Sequence, residues 1–206
     1  LEFFGESRAV LTQKQEDEGI KPSAFDSKNF GFRVGQGAAF VVFESGRAVD
    51  KLGITPHAEL MGAYSASEAS TNAIGQCEDG QGFIKAVQGA LMYGKVLSKD
   101  IKIIKTHGTG TESNNKAEKT ALNTLFKEFI ATSYKQKIGH TMGSSGLLES
   151  LLLLEDMKKG FVPPIENRTE SDSVFLSEQA TCPDGLMLSL AAGMGNIYSA
   201  AIFKGL

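Results

Sequence analysis

The chain has 206 residues, 41% of them hydrophobic, and a formal net charge of −3. That is enough apolar material for one domain with a real core, or for a large part of a bigger one. So small a charge leaves no electrostatic footprint for nucleic acid or an anionic membrane, and no apolar run reaches the ~20 residues of a bilayer span. The two cysteines, Cys77 and Cys182, form no paired motif, which suits a reducing cytoplasm better than a disulfide scaffold. Only three histidines are present, His57, His107 and His140, and no cysteine or carboxylate stands at ligand spacing, which argues against structural zinc. The first residues carry no basic region followed by an apolar run, so no signal peptide is expected. They also start mid-pattern without Met, so Leu1 is not expected to be the native start.

In chain order, residues 1–35 read as polar and irregular, with apolar patches at 1–4 and 9–11 and a turn at 22–26. Gly35 and Gly37 precede an apolar run, 38–44, read as a buried strand. A dinucleotide fingerprint follows a strand and opens a helix, so these glycines read instead as points of close backbone approach. Residues 45–52 form a short helix stopped by Gly53. Residues 57–66 make the next strand, with His57 at its exposed start. Residues 67–80 are a long polar loop, a place where function concentrates. The spacing of Phe83, Ile84, Val87, Leu91 and Met92 predicts a helix over 81–95.

The run Ile103-Ile104-Lys105-Thr106 ends a buried strand, 101–106, and breaks into a Gly/Thr loop headed by His107. A second amphipathic helix is expected over 114–130, with Ala117, Leu122, Leu125, Phe126 and Phe129 inward and a near capping box at 115–118. Further on, His140 again sits in a Gly/Thr turn ahead of a third helix, 143–159, so rich in leucine that it should be central and buried. After an irregular stretch from Pro163 to about Pro183, strands 185–192 and 197–203 close the chain as a hairpin around a glycine turn at 193–196. Alternating helices and buried strands indicate an α/β layered fold.

Together these motifs carry a resemblance. The series His-Gly-Thr-Gly-Thr from His107, Lys135-x-x-x-Gly-His140-Thr-x-Gly-x-x-Gly-x-x-Glu149, a Pro-Pro pair and a terminal glycine-rich hairpin resembles the β-ketoacyl-(acyl-carrier-protein) synthases. These are condensing enzymes of fatty acid and polyketide synthesis. Phe25-Asp26, Gly31-Phe32 and Gly35-x-Gly37-Ala38 fit the same family. The resemblance implies a thiolase-like fold, two α/β halves in an αβαβα body, of which residues 1–50 would be the end of the first half and 51–206 the second half. The family's nucleophilic cysteine belongs to the first half, upstream of Leu1. Neither Cys77 nor Cys182 sits in a strand-to-helix elbow that would replace it.

By this resemblance His107 and His140 are the two catalytic histidines, and Lys135 completes the catalytic set. Glu149 pairs with Lys135, and Glu118 is the supporting acidic residue of the first loop, unless it simply caps a helix. Thr109 and Thr111 hold the phosphopantetheine arm of the substrate, and Met194 contributes to the acyl pocket and its oxyanion hole. The chain departs from the family in its last loop, with Met194 for phenylalanine, Asn196 for glycine and Tyr198 for asparagine. Asn115 stands where an aspartate is common, close to the support expected for Lys135. The implied reaction is decarboxylative Claisen condensation with malonyl-carrier-protein, in the cytoplasm and without a resident cofactor. The implied partners are acyl carrier protein and either the missing half or a second ketosynthase-like subunit, in a homo- or heterodimer. The alternative is a non-catalytic subunit of the chain-length-factor type.

Overall fold

The computed structural model describes residues 9–69 and 76–206. The apolar patch at 1–4 and the middle of the 67–80 loop lie outside the described residues. Its strands are β1 (Ala58–Ser67), β2 (Ile101–Lys105), β3 (Ile130–Thr132), β4 (Phe161–Val162), β5 (Ala180–Thr181), β6 (Leu186–Gly193) and β7 (Ile197–Gly205). Its helices are α1 (Gln13–Asp17), α2 (Gly46–Leu52), α3 (Gln81–Gly94), α4 (Glu112–Leu125), α5 (Lys135–Ile138) and α6 (Ser145–Lys158).

Five strands make one mixed sheet in the order β1-β7-β6-β2-β3. Strand β2 runs parallel to both neighbours, whereas β6, β7 and β1 form an antiparallel meander. The two-residue periodicity of β6 sorts its side chains cleanly. Leu188 and Leu190 enter a core with Phe83, Val87 and Leu122 under α3 and α4. Met187 goes to the opposite face, into a second core with Leu153 and Leu154 of α6. The sheet is thus sandwiched between helices, and the first histidine loop leaves the carboxyl end of its interior strand β2.

Several expectations change in three dimensions. Residues 38–44 form no strand and are not buried: Phe40 is 91% exposed and Val42 76%. Their pattern is that of a buried strand, but no described element pairs with them. Helix α4 starts earlier than expected, at Glu112 after Thr111, and ends at Leu125. Residues 130–132 leave it to pair with β2, where the β-branched Ile130 and Thr132 suit the sheet edge. No capping box forms at 115–118, since Glu118 lies inside the helix and reaches back to the histidine loop. In α3 the buried face uses small residues, Ala86, Gly89 and Ala90 among them, and Met92 is 67% exposed. Helix α6 is only partly buried: Leu153 and Leu154 are enclosed, while Leu147, Leu148, Leu151 and Leu152 are half-buried. The expected α2, β1 and terminal hairpin form within a residue or two of their anticipated ends.

Candidate active site

The first histidine loop is fixed from below by a carboxylate. Glu118, fully buried on α4, accepts from the His107 N–H at 2.5 Å, the Gly108 N–H at 2.8 Å and the Asn114 amide at 2.7 Å. Burial pushes its pKa up, and these three donors pull against that shift. Gly110 lies at φ +76°, and a Cβ there would fall 1.9 Å from the Ser23 carbonyl, so only glycine fits. The hydroxyls of Thr109 and Thr111 sit 3.1 Å apart on the same loop.

The second loop is clamped by the N-terminal segment. The His140 N–H donates to Arg33 O at 2.7 Å, and the Gly35 N–H donates to His140 O at 2.9 Å. A Cβ on Gly35 would meet Ile138 O at 2.5 Å, which is the close approach its sequence position suggested. Phe32 meets the His140 ring edge-on at 4.9 Å.

The two imidazoles converge, with ring centroids 5.9 Å apart and planes at 81°. Each has its Nδ1 occupied as an acceptor: His107 Nδ1 takes the Ala192 N–H at 3.2 Å, and His140 Nδ1 takes the Met142 N–H at 3.1 Å. A neutral ring with Nδ1 accepting carries its proton on Nε2, so both rings are donors through Nε2. Their surroundings favour neutrality. Burial, then the charge of Lys135, holds His107 well below the ordinary imidazole value. Burial and Lys135 likewise bring His140 down to about 4, with Glu149 pulling the other way.

Behind the rings lies a cluster of charges. Lys135 donates to Glu149 at 2.8 and 3.1 Å, with both side chains fully buried, and the Ser145 hydroxyl donates to the same carboxylate. Lys135 stands at the start of α5. A second buried lysine, Lys105, reaches Glu149 at 3.4 Å and Leu190 O at 2.6 Å. Sequence reasoning missed it, although a lysine in an apolar strand two residues before His107 was a visible signal. Burial lowers Lys105 to about 8. Burial alone would raise Glu149, but the two lysines hold it below the usual carboxylate range.

The rings open on a cavity of about 620 Å³ whose wall includes Thr109, Thr111, Met142, Gly146, Ala192 and Met194. Met194 is half exposed at its rim. Asn196 adopts φ +57°, which asparagine tolerates better than most residues, so the loop keeps a left-handed turn without glycine there. Tyr198 points away from this cavity, edge-on to Phe83 at 4.9 Å. Asn115 accepts the Phe25 N–H at 3.2 Å. Among the described residues, no group of three or more His, Cys, Asp or Glu could hold a metal ion, and no helix is long and apolar enough to cross a membrane. Both cysteines are free, and neither lines the cavity.

The mixed sheet flanked by helices thus carries two histidine loops that converge over a buried Lys–Glu pair. Residues 57–169 match the family model described as the β-ketoacyl synthase C-terminal domain. The chain is 30% identical over 190 residues to the tetracenomycin polyketide synthase ketoacyl synthase alpha subunit of Streptomyces glaucescens, covering 86% of this chain and 44% of that protein. It is 27% identical over 198 residues to the chloroplastic 3-oxoacyl-[acyl-carrier-protein] synthase II of Arabidopsis thaliana, covering 92% of this chain and 35% of that protein. A crystal structure of a β-ketoacyl synthase from Burkholderia phymatum superposes with a TM-score of 0.89 at 29% identity, over 99% of this chain and 51% of that one. The chain belongs to the β-ketoacyl synthase family and has the fold of that enzyme's C-terminal half, while spanning less than half the length of the two curated relatives.

Proposed function

We propose that this chain is the two-histidine part of a 3-oxoacyl-carrier-protein synthase that acts with a thiol-bearing half. The observation that carries the proposal is the paired geometry: each imidazole accepts a backbone N–H at Nδ1, which leaves both Nε2 atoms to donate over one cavity. In the proposed reaction the malonyl thioester loses CO₂, and the electron pair of the broken C–C bond becomes an enolate. Two N–H donors stabilise the oxyanion as its charge develops. The enolate carbon then attacks an acyl thioester on the partner half, forming the new C–C bond as the C–S bond breaks and the thiolate is released.

Lys135 and Glu149 supply the fixed field behind the rings, and Glu118 sets the pitch of the His107 loop. Thr109 and Thr111 present hydroxyls to the phosphopantetheine arm of an acyl carrier protein, a substrate class suggested by the name of the Arabidopsis relative. The backbone N–H of Met194 takes the place of an oxyanion donor, and its flexible side chain bounds the acyl site. Residues 1–50 serve as the end of the first half, since Arg33 and Gly35 already clamp the His140 loop. A cytoplasmic or organellar setting accords with this reading.

Chain alone, without the nucleophile, should neither accept an acyl group nor condense one. In the assembled enzyme, His107→Ala and His140→Ala should each lower malonyl-carrier-protein decarboxylation about 10²–10³-fold, the scale of one lost oxyanion donor. Unchanged rates in both variants would sink this reading. That result would favour a subunit of the chain-length-factor type, the reading that the altered Met194–Asn196 loop supports.

A further inference from the structure

The backbone ladder between β2 and β6 ends at the pair Lys105–Ser189. In a parallel pair, one residue bridges the C=O of one residue and the N–H two positions on in the neighbouring strand. Continuing this register sets His107 opposite Ala191, where its backbone would bridge Leu190 C=O and Ala192 N–H. It does not, because the His107 N–H is diverted to Glu118 at 2.5 Å. Side chains take both vacated positions. Lys105 Nζ donates to Leu190 O at 2.6 Å, and His107 Nδ1 accepts from the Ala192 N–H at 3.2 Å.

We propose that Lys105 is a positioning residue for His107: it supplies β6 with the donor that the histidine loop withdraws, and so holds the Leu190–Ala192 segment where it can pin the imidazole. This rests on the proposed role of His107. The charge of Lys105 has a second consequence. The groups facing the two rings are Lys105 from β2, Glu118 from α4, Lys135 from α5 and Glu149 from α6, two cations and two carboxylates. Glu149 touches both lysines, at 3.4 and 2.8 Å. Removing Lys105 takes away one of the cations that hold both rings below their ordinary value, which favours their protonation.

The test is nitrogen NMR of histidine-labelled chain assembled with its thiol-bearing half. Wild type should show His107 as the Nε2–H tautomer across ~pH 6–8. Lys105→Met should mix the tautomers, raise the His107 titration, and lower kcat about 10²-fold with little change in KM. Lys105→Gln keeps an N–H donor without the charge, so it should restore the tautomer but not the titration. An unaltered tautomer and titration in Lys105→Met would overturn the inference. Should that variant not fold, an Nδ1–H tautomer in wild type would overturn it equally. These spectra read the position of the ring whether or not it is catalytic. If His107→Ala retains activity, the functional reading fails while the positioning result stands.

Discussion

Glu149 shows at the scale of a residue how the site is both stabilised and tuned. Its carboxylate is the common acceptor for Lys105, Lys135 and Ser145, all inside the protein. Glu149→Gln would leave two buried ammonium groups with weakened compensation, a change that costs about 3–5 kcal/mol when a buried pair is broken. Urea denaturation should show that loss, and a variant as stable as wild type would contradict the geometry. The histidines give a second prediction at this scale. Burial and the charge of Lys135 bring folded His140 down to about 4, against about 6.5 for a free imidazole. The unfolded chain therefore binds more protons as pH falls through that window. The contribution is fully present above about pH 6.5 and declines toward about pH 4, by on the order of 3 kcal/mol. Denaturant melts at stepped pH should follow that slope, and His140→Gln should flatten it.

Local patterns at the scale of elements were legible where an element packs with both neighbours present. Strand β2, helix α3 and the β6–β7 hairpin follow from periodicity and turn residues alone. Helix α4 was overextended because Phe126 and Phe129 continue its apolar spacing, and only pairing with β2 reveals that 130–132 is a strand. The histidine loops, Lys135, Glu118 and Glu149 were visible as a motif set. Lys105 was not, because its role depends on a strand ladder ending beside it. The hairpin offers its own test. Gly195 and Asn196 take successive left-handed conformations, at φ +80° and +57°. Asn196→Val should cost about 1–3 kcal/mol more than Asn196→Gly, which takes the left-handed conformation without strain. Equal melting of the two variants would show that the turn is not under this constraint.

Across the whole molecule, apolar surface remains uncovered. Phe40, Val42 and Phe43 are exposed, at 91%, 76% and 66%. Phe43 also walls a trough of about 510 Å³ against β1 and β7, with Leu60, Leu147 and Phe203. Four leucines of α6 are only half-buried. Patches of this kind mark an interface or an aggregation hazard. The isolated chain should therefore bind a hydrophobic dye and self-associate, and assembly with a thiol-bearing half should suppress both and raise its melting temperature. A dye-silent, monomeric chain would contradict the view that this fold is incomplete alone.

The most direct test of the central claim is CO₂ release from malonyl-carrier-protein, measured for this chain, for the thiol-bearing half, and for the two mixed. Release and condensation only in the mixture, lowered about 10²–10³-fold by His107→Ala, is the predicted result. Release at the full rate by the thiol-bearing half without this chain would contradict it.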